Sequence, residues 1–138
     1  LSMDESGITN DPVKRLAVAE KIVNRAVRAG IPQEDVIIDP LAMAVSADPH
    51  ACLVTLGTIK LIHDKLGLNI TMGASNISFG LPGRGTLNAS FISLAIWAGL
   101  TCPIANPGKI VKAIRAADLI MGRDDYAMRY IAAGHEKE

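Results

Sequence analysis

An α/β fold on a parallel sheet is predicted by three features of this 138-residue sequence. Short β-branched runs alternate with amphipathic helical stretches, the pattern of strand–helix–strand crossovers. Residues that end the expected strands, near Asp4, Asp39, Ala74 and Asn106, recur at roughly 32 to 35 residues, about one strand–helix unit. Hydrophobic residues make up 49% of the chain, and with zero net charge this excludes intrinsic disorder.

The elements follow in order. Only the closing residues of a first strand are expected, at Asp4. Asp11-Pro12 predicts a helix start, with Asp11 as N-cap and Pro12 at the first helical position. Leu16, Ala19, Val23, Ala26 and Val27 form its apolar face, and Gly30 with Pro32 ends it. Val36 to Leu41 is a continuous apolar run broken by Asp39-Pro40, which suits a strand buried on both faces. Asp48-Pro49 starts a second helix with Leu53, Leu56, Ile59 and Ile62 as its apolar spacing, and Gly67 closes it. Asn69 to Ala74 reads as a strand and Ser75 to Gly85 as a Gly/Ser/Pro-rich loop. Thr86 is expected to cap a third helix whose apolar face is Leu87, Phe91, Leu94, Ala95 and Ala98, closed by Gly99. Thr101 to Asn106 is a fourth strand interrupted by Pro103. Helices over 109–121 and 124–133 complete the chain.

Composition removes several function classes. Fourteen Lys and Arg balance fourteen Asp and Glu, so the basic field of a general nucleic-acid binder is missing and no nucleic-acid partner is expected. No run approaches the ~18 to 20 apolar residues of a membrane span, so no membrane partner is expected. The opening Leu-Ser-Met-Asp-Glu is unlike a signal peptide. Cys52 and Cys102 have no zinc spacing and are too few for a disulfide scaffold, which predicts a reducing, cytoplasmic location. His50, His63 and His135 show no metal-ligand spacing, so no directly bound metal is expected. Trp97 reads as a packing residue.

Ligands of parallel α/β folds bind at the carboxyl ends of the strands. Asp4, Asp39, Ser75-Asn76 and Asn106 stand at those ends and form the candidate site, although Asp and Asn also serve plain turns and caps. Asp39 follows an apolar run and precedes proline, which imposes an extended backbone. Its partly desolvated carboxylate suits two adjacent N–H donors, such as the edge of a 2-amino-4-oxo-pyrimidine. The loop after the third strand is longer than the usual ~2 to 6 residues. It is neither a Walker loop nor Gly-x-Gly-x-x-Gly. Arg84 could meet an anionic tail, and Ser78 has no histidine partner for nucleophilic work.

The run Gly-Ala-Ser-Asn-Ile-Ser-Phe-Gly-Leu-Pro-Gly-Arg at 73–84 resembles the signature of methyltetrahydrofolate:corrinoid methyltransferases. These are pterin-binding relatives of dihydropteroate synthase and of the folate module of methionine synthase. Leu1 to Asp4 with Ser6-Gly7-Ile8, Ile37 to Leu41, Leu87 to Phe91, Ala98 to Leu100 and Ile104 to Pro107 resemble the same family in the same order.

The resemblance implies a TIM barrel with the pterin at the carboxyl ends of its strands. It implies that Asn76 hydrogen-bonds N5 of methyltetrahydrofolate, that Asp39 binds the pyrimidine edge, and that Ser75, Ser78 and Arg84 lie in the same loop. The implied methyl donor is methyltetrahydrofolate, and the acceptor is a corrinoid carried by a partner protein. Dihydropteroate synthase carries a lysine where this chain has Ser75-Asn76-Ile77, which argues against that reaction. Phe79 stands where some relatives have glutamine. A complete barrel needs ~250 residues. The expectation is therefore that 1–138 is a single pterin-binding-type half-barrel of about four βα units, the C-terminal half, with the N-terminal half absent and the isolated piece inactive. Alternatives are a non-catalytic half-barrel that binds pterin or pairs its open edges as a homodimer, and a small α/β domain with unrelated chemistry.

Overall fold

A computed structural model describes residues 1–5 and 7–134. Ser6 and His135 lie outside the described residues. The helices are α1 (Pro12–Arg28), α2 (Ala51–Leu66), α3 (Arg84–Ala98), α4 (Pro107–Ile120) and α5 (Met128–Gly134). The strands are β1 (Ile37–Ile38), β2 (Asn69–Gly73) and β3 (Cys102–Ile104), paired in parallel in the order β1-β2-β3. Alternation of strand and helix thus produces the parallel α/β sheet that the sequence predicts. The closing residues of the expected first strand lie beside β1, where the Ser2 N–H donates to the Asp39 carbonyl at 2.8 Å.

Local chemistry sets most boundaries. Asp11 caps α1 by accepting from the Val13 and Lys14 amides, with Pro12 in the first turn. Asn106 caps α4 in the same way, accepting from the Gly108 amide at 3.0 Å, with Pro107 following. Pro103 is accommodated in β3 because β3 pairs with β2 alone, so the missing N–H breaks no second ladder.

Several boundaries differ from expectation; α4 starts at Pro107 rather than 109, and β1 and β3 are shorter than their apolar runs. Helix α3 begins at Arg84, not at a Thr86 cap. Gly83 adopts φ +63 and its carbonyl receives the Thr86 amide, which puts Thr86 inside the first turn. Asp48-Pro49 forms a turn, with the Asp48 carboxylate accepting from the His50 amide, and α2 starts two residues later at Ala51. The terminal helix breaks at Tyr126 and Ala127, both with positive φ, into a short 3-10 turn and α5.

The buried face of the sheet carries Ile38, Ile70 and Met72, packed on Ala19, Ile59, Ile62, Phe91, Ile92 and Ala95 from α1, α2 and α3. Each such aliphatic side chain contributes roughly 1.5–3 kcal/mol by leaving water. The helical faces are offset from the predicted ones. Helix α2 buries Val54, Thr55, Thr58, Ile59 and Ile62, while Leu53 is exposed; in α3 Leu94 is exposed. Trp97 is a correction: it is 68% exposed, with the Lys60 ammonium 5.9 Å from its ring centre. Both helices are apolar nearly all round, so spacing alone does not choose their inner face.

The opposite sheet face lacks such cover. Register places Ile37 with Asn69, Thr71 with Cys102 and Gly73 with Ile104 on one side, and Ile37, Cys102 and Ile104 are exposed there. Parallel sheets are ordinarily covered on both faces.

Two features yield tests. Gly99 closes α3 at φ +116, and a Cβ there would lie 2.5 Å from Cγ and 2.6 Å from Cβ of His63. Gly99→Ala is expected to destabilise by roughly 2–4 kcal/mol, combining left-handed strain with overpacking. Gly67→Ala, at φ +62 in open space, is expected to cost only about 1 kcal/mol. Chemical denaturation of the two variants checks the contrast. At the other end, the buried Asp124 carboxylate accepts from the Arg129 amide at 3.0 Å and the Tyr130 amide at 2.9 Å. The Arg129 amide above all holds its pKa below the ordinary value. A depressed carboxylate adds stability that is present above its unfolded pKa of about 3.9 and is lost as pH falls through the folded value. Hydrogen exchange at Arg129 and Tyr130 is therefore expected to accelerate as pH falls below about 4, after correction for intrinsic rates, and Asp124→Asn is expected to remove that acid-dependent step.

Candidate functional site

Because β1, β2 and β3 are parallel, their carboxyl ends open onto one rim. Each following loop brings polar groups to it.

After β1, Asp39 turns the chain. Its Oδ1 accepts from the Leu41 amide at 2.8 Å, and Leu41 takes φ +65, unusual for a residue with a branched side chain. The carbonyls of this turn are held from below. Arg15 Nη1 donates to the Pro40 and Leu41 carbonyls at 2.7 and 2.8 Å, and its Nε donates to the Thr9 carbonyl at 2.7 Å. Burial pushes the Arg15 pKa down from its usual value.

After β2, residues Ala74–Ser78 wind into a 3-10 turn. Asn76 is exposed at its crest, with its amide folded over Gly73. A Cβ on residue 73 would come within 3.1 Å of Asn76 Nδ2, so glycine leaves the space this amide uses. Beneath the turn lies a closed polar set. The buried Ser78 hydroxyl donates to Asn88 Oδ1 at 2.7 Å and accepts from Arg84 Nε at 3.0 Å. Arg84 Nη2 donates to the Ser75 carbonyl at 2.9 Å. Helix α3 thereby holds the loop that precedes it. The β1 and β2 loops are also tied together: the Val45 amide donates to the Ile77 carbonyl at 3.0 Å, and the Ser46 hydroxyl to the Phe79 carbonyl at 2.7 Å.

After β3, Asn106 caps α4 and also faces a cavity of about 330 Å³ between the starts of α3 and α4. Ser75, Arg84, Asn88 and Lys109 share its lining, which contains two cations and no carboxylate.

The structure therefore gathers Ser75, Arg84 and Asn106 around one cavity, with Ser78 as the internal bracket of the same loop. Asp39 and Asn76 stand on the loops of adjacent strands. Asp4 is apart from the cavity: it is exposed and lines a separate hollow with Gly7, Thr9, Lys14 and Lys21. Sequence reasoning missed Arg15, Asn88 and Lys109. Arg15 was detectable, because it precedes Ala19 by four residues and Val23 by eight and so lies on the buried stripe of α1. Asn88 and Lys109 carry no local signal, since only tertiary packing brings them to the rim. His63 packs on Gly99 at the opposite end of the strands. Among the described residues no cluster of three or more His, Cys, Asp or Glu is arranged to hold a metal, and no helix is long and apolar enough to cross a membrane.

Comparison with known proteins shows the family. Residues 2–106 match the family described as pterin binding enzyme. The chain is 31% identical over 136 residues to a methylcorrinoid:tetrahydrofolate methyltransferase of Eubacterium limosum, covering 96% of this chain and 50% of that protein. It is 28% identical over 146 residues to a methionine synthase of Mycobacterium tuberculosis, covering 91% of this chain and 12% of the synthase. It is 29% identical over 119 residues to a methionine synthase of Mycobacterium leprae, covering 80% and 10%. The chain thus spans half the length of the first relative and about a tenth of the synthases. With its parallel sheet and its matched segment running from the first residues to the cap of α4, this chain belongs to the pterin-binding enzyme family.

Proposed function

We propose that this chain is the C-terminal half of a TIM-barrel methyltransferase that moves the methyl group between N5 of methyltetrahydrofolate and a corrinoid carried by a partner protein. The observation that carries the reading is Asn76: an exposed amide at the end of the central strand, laid over a glycine in a loop that is braced from beneath. The E. limosum relative's name supports the chemistry.

The residues fit a pterin. Asp39 commits one carboxylate oxygen to its own turn, and the other can accept from the two N–H groups of the pyrimidine edge. Asn76 serves N5. A methyl on a tertiary amine leaves poorly, because the nitrogen must take back the bonding pair as an anion. Protonating N5 makes the departing nitrogen a neutral amine. A side-chain amide offers both an acceptor and a donor, so Asn76 can accept from N5–H while the proton is present and donate to the N5 lone pair after the methyl has gone. The corrinoid supplies the nucleophilic cobalt that takes the methyl carbon. Exposed Asn76 and Phe79 leave this rim accessible to a second protein. The E. limosum relative is named for the opposite direction, and the same contacts serve both, since forward and reverse transfer share one transition state. Arg84 and Lys109 give the neighbouring cavity the charge suited to carboxylates of the folate tail, and Asn106 and Ser75 complete it. Asp4 would approach the pterin only through the separate hollow beside α1.

The barrel reading is supported by the uncovered sheet face. Ile37, Cys102 and Ile104 alternate with the buried residues as the inward row of a barrel does. The remaining strands would come from the rest of the pterin-binding unit, and the isolated chain would transfer no methyl group. A homodimer that pairs the open strand edges, and so encloses this exposed row, is the second reading. The free thiols of Cys52 and Cys102 suit a cytoplasmic site of action.

In the full-length enzyme, Asn76→Ala is expected to lower the methyl-transfer rate constant about 10²- to 10³-fold, the scale for loss of one group that stabilises transition-state charge. Methyltetrahydrofolate affinity should change by less than about tenfold, since the amide acts mainly at N5. Single-turnover transfer and equilibrium titration separate the two. An unchanged transfer rate would remove Asn76 from the reaction and with it this reading.

A further inference from the structure

We propose that Arg15 is a positioning residue for ligand binding at Asp39. The inference rests on the reading that Asp39 holds the pterin edge, and extends it to a residue on a helix that offers the ligand nothing itself. Arg15 is only 1% exposed. Among the described residues its acceptors are the neutral carbonyls of Thr9, Pro40 and Leu41, and no described ion pair joins it to a carboxylate. A buried guanidinium without a counter-ion is costly. Packing alone would favour an aliphatic residue at this position of the α1 stripe, between the turn of α1 and Ala19.

What the cation holds is a strained turn. Leu41 stands at φ +65, a conformation that is costly for a non-glycine residue and persists only where the surroundings over-determine it. The Leu41 carbonyl receives Arg15 Nη1 at 2.8 Å. The Leu41 amide in turn donates to Asp39 Oδ1. A chain of bonds therefore runs from the Arg15 guanidinium through the backbone of residues 40 and 41 to one oxygen of the Asp39 carboxylate, and leaves the other oxygen with a defined direction. The Nε bond to Thr9 anchors the same guanidinium to the loop that carries Asp4, so two neighbouring rim loops share one rigid tie. Lysine cannot reproduce it, because a single ammonium lacks the planar fork that reaches both sides.

The test is a double-mutant cycle in the full-length enzyme, read by methyltetrahydrofolate titration and single-turnover transfer. Asp39→Asn alone measures the contribution of the carboxylate. Arg15→Lys is expected to weaken binding at least tenfold while lowering the transfer rate of the saturated enzyme by less than threefold. The double variant should be no weaker than the worse single one, because both act on the same contact. A loss from Arg15→Lys that multiplies with that of Asp39→Asn would mark a merely structural role and overturn the proposal, as would unchanged binding in Arg15→Lys. If Asp39→Asn itself leaves binding intact, the assignment of Asp39 fails instead, independently of Arg15. Should Arg15→Lys be too unstable for titration, amide exchange decides: Arg15→Gln is expected to accelerate exchange at Leu41 at least tenfold relative to Ile70 and Met72, and equal acceleration throughout would overturn the proposal.

Discussion

Parallel pairing of β2 with its two neighbours is the constraint on which the rest of the molecule depends. It brings three strand ends to one rim and forces each connection to cross back over the same face as a helix. The helices that cover that face do two jobs. Their inner sides supply the core, and the N-terminal ends of α3 and α4 present Arg84, Asn88 and the cap Asn106 to the rim. Side chains reinforce the pairing at the start of β3: Thr101 Oγ1 accepts from the Ile70 amide at 2.9 Å, and the Thr71 hydroxyl donates to the Cys102 carbonyl at 2.8 Å. Weakening that register by one residue would turn Ile70 and Met72 out of the core and carry Gly73 away from Asn76.

The rim is held by buried polar groups rather than by apolar contact. Ser78, Arg84 and Asn88 satisfy one another under the β2 loop, and Arg15 satisfies three carbonyls under the β1 turn. Such networks are stabilising only when complete, since each unpaired buried donor or acceptor costs about 1–3 kcal/mol. They fix geometry more sharply than aliphatic packing does. The roles proposed for Asn76 and Asp39 call for such fixed geometry.

The sequence made the fold legible wherever a local rule decides structure. Asp11-Pro12 announces its helix because capping involves residues two or three apart, whereas Asn106-Pro107, read as the end of a strand, caps α4 two residues ahead of the expected start at 109. The strand after Asn69 and the family signature at 73–84 were equally direct. Where local rules tie, spacing alone misleads. Helices α2 and α3 are apolar on several sides, so Leu53, Leu94 and Trp97 were assigned inward although tertiary packing leaves them out. Thr86 was a reasonable cap in isolation, but Gly83 reaches the left-handed conformation more easily and starts the helix earlier. Within the site, residues carried by the signature loop were visible. Arg15 is legible only as a charge on the buried stripe of α1, and Asn88 and Lys109 draw their importance from what the fold places beside them.

The central claim is that Asn76 meets N5 of the bound methyl donor. It is tested most directly by carbon-13 NMR of methyltetrahydrofolate labelled at the N5 methyl, bound to the full-length protein with and without Asn76→Ala and followed across pH. A hydrogen bond at N5 predicts a bound methyl resonance that differs between the two proteins, and an N5 titration that moves when the amide is removed. The same bound shift and the same titration in both proteins would contradict the account.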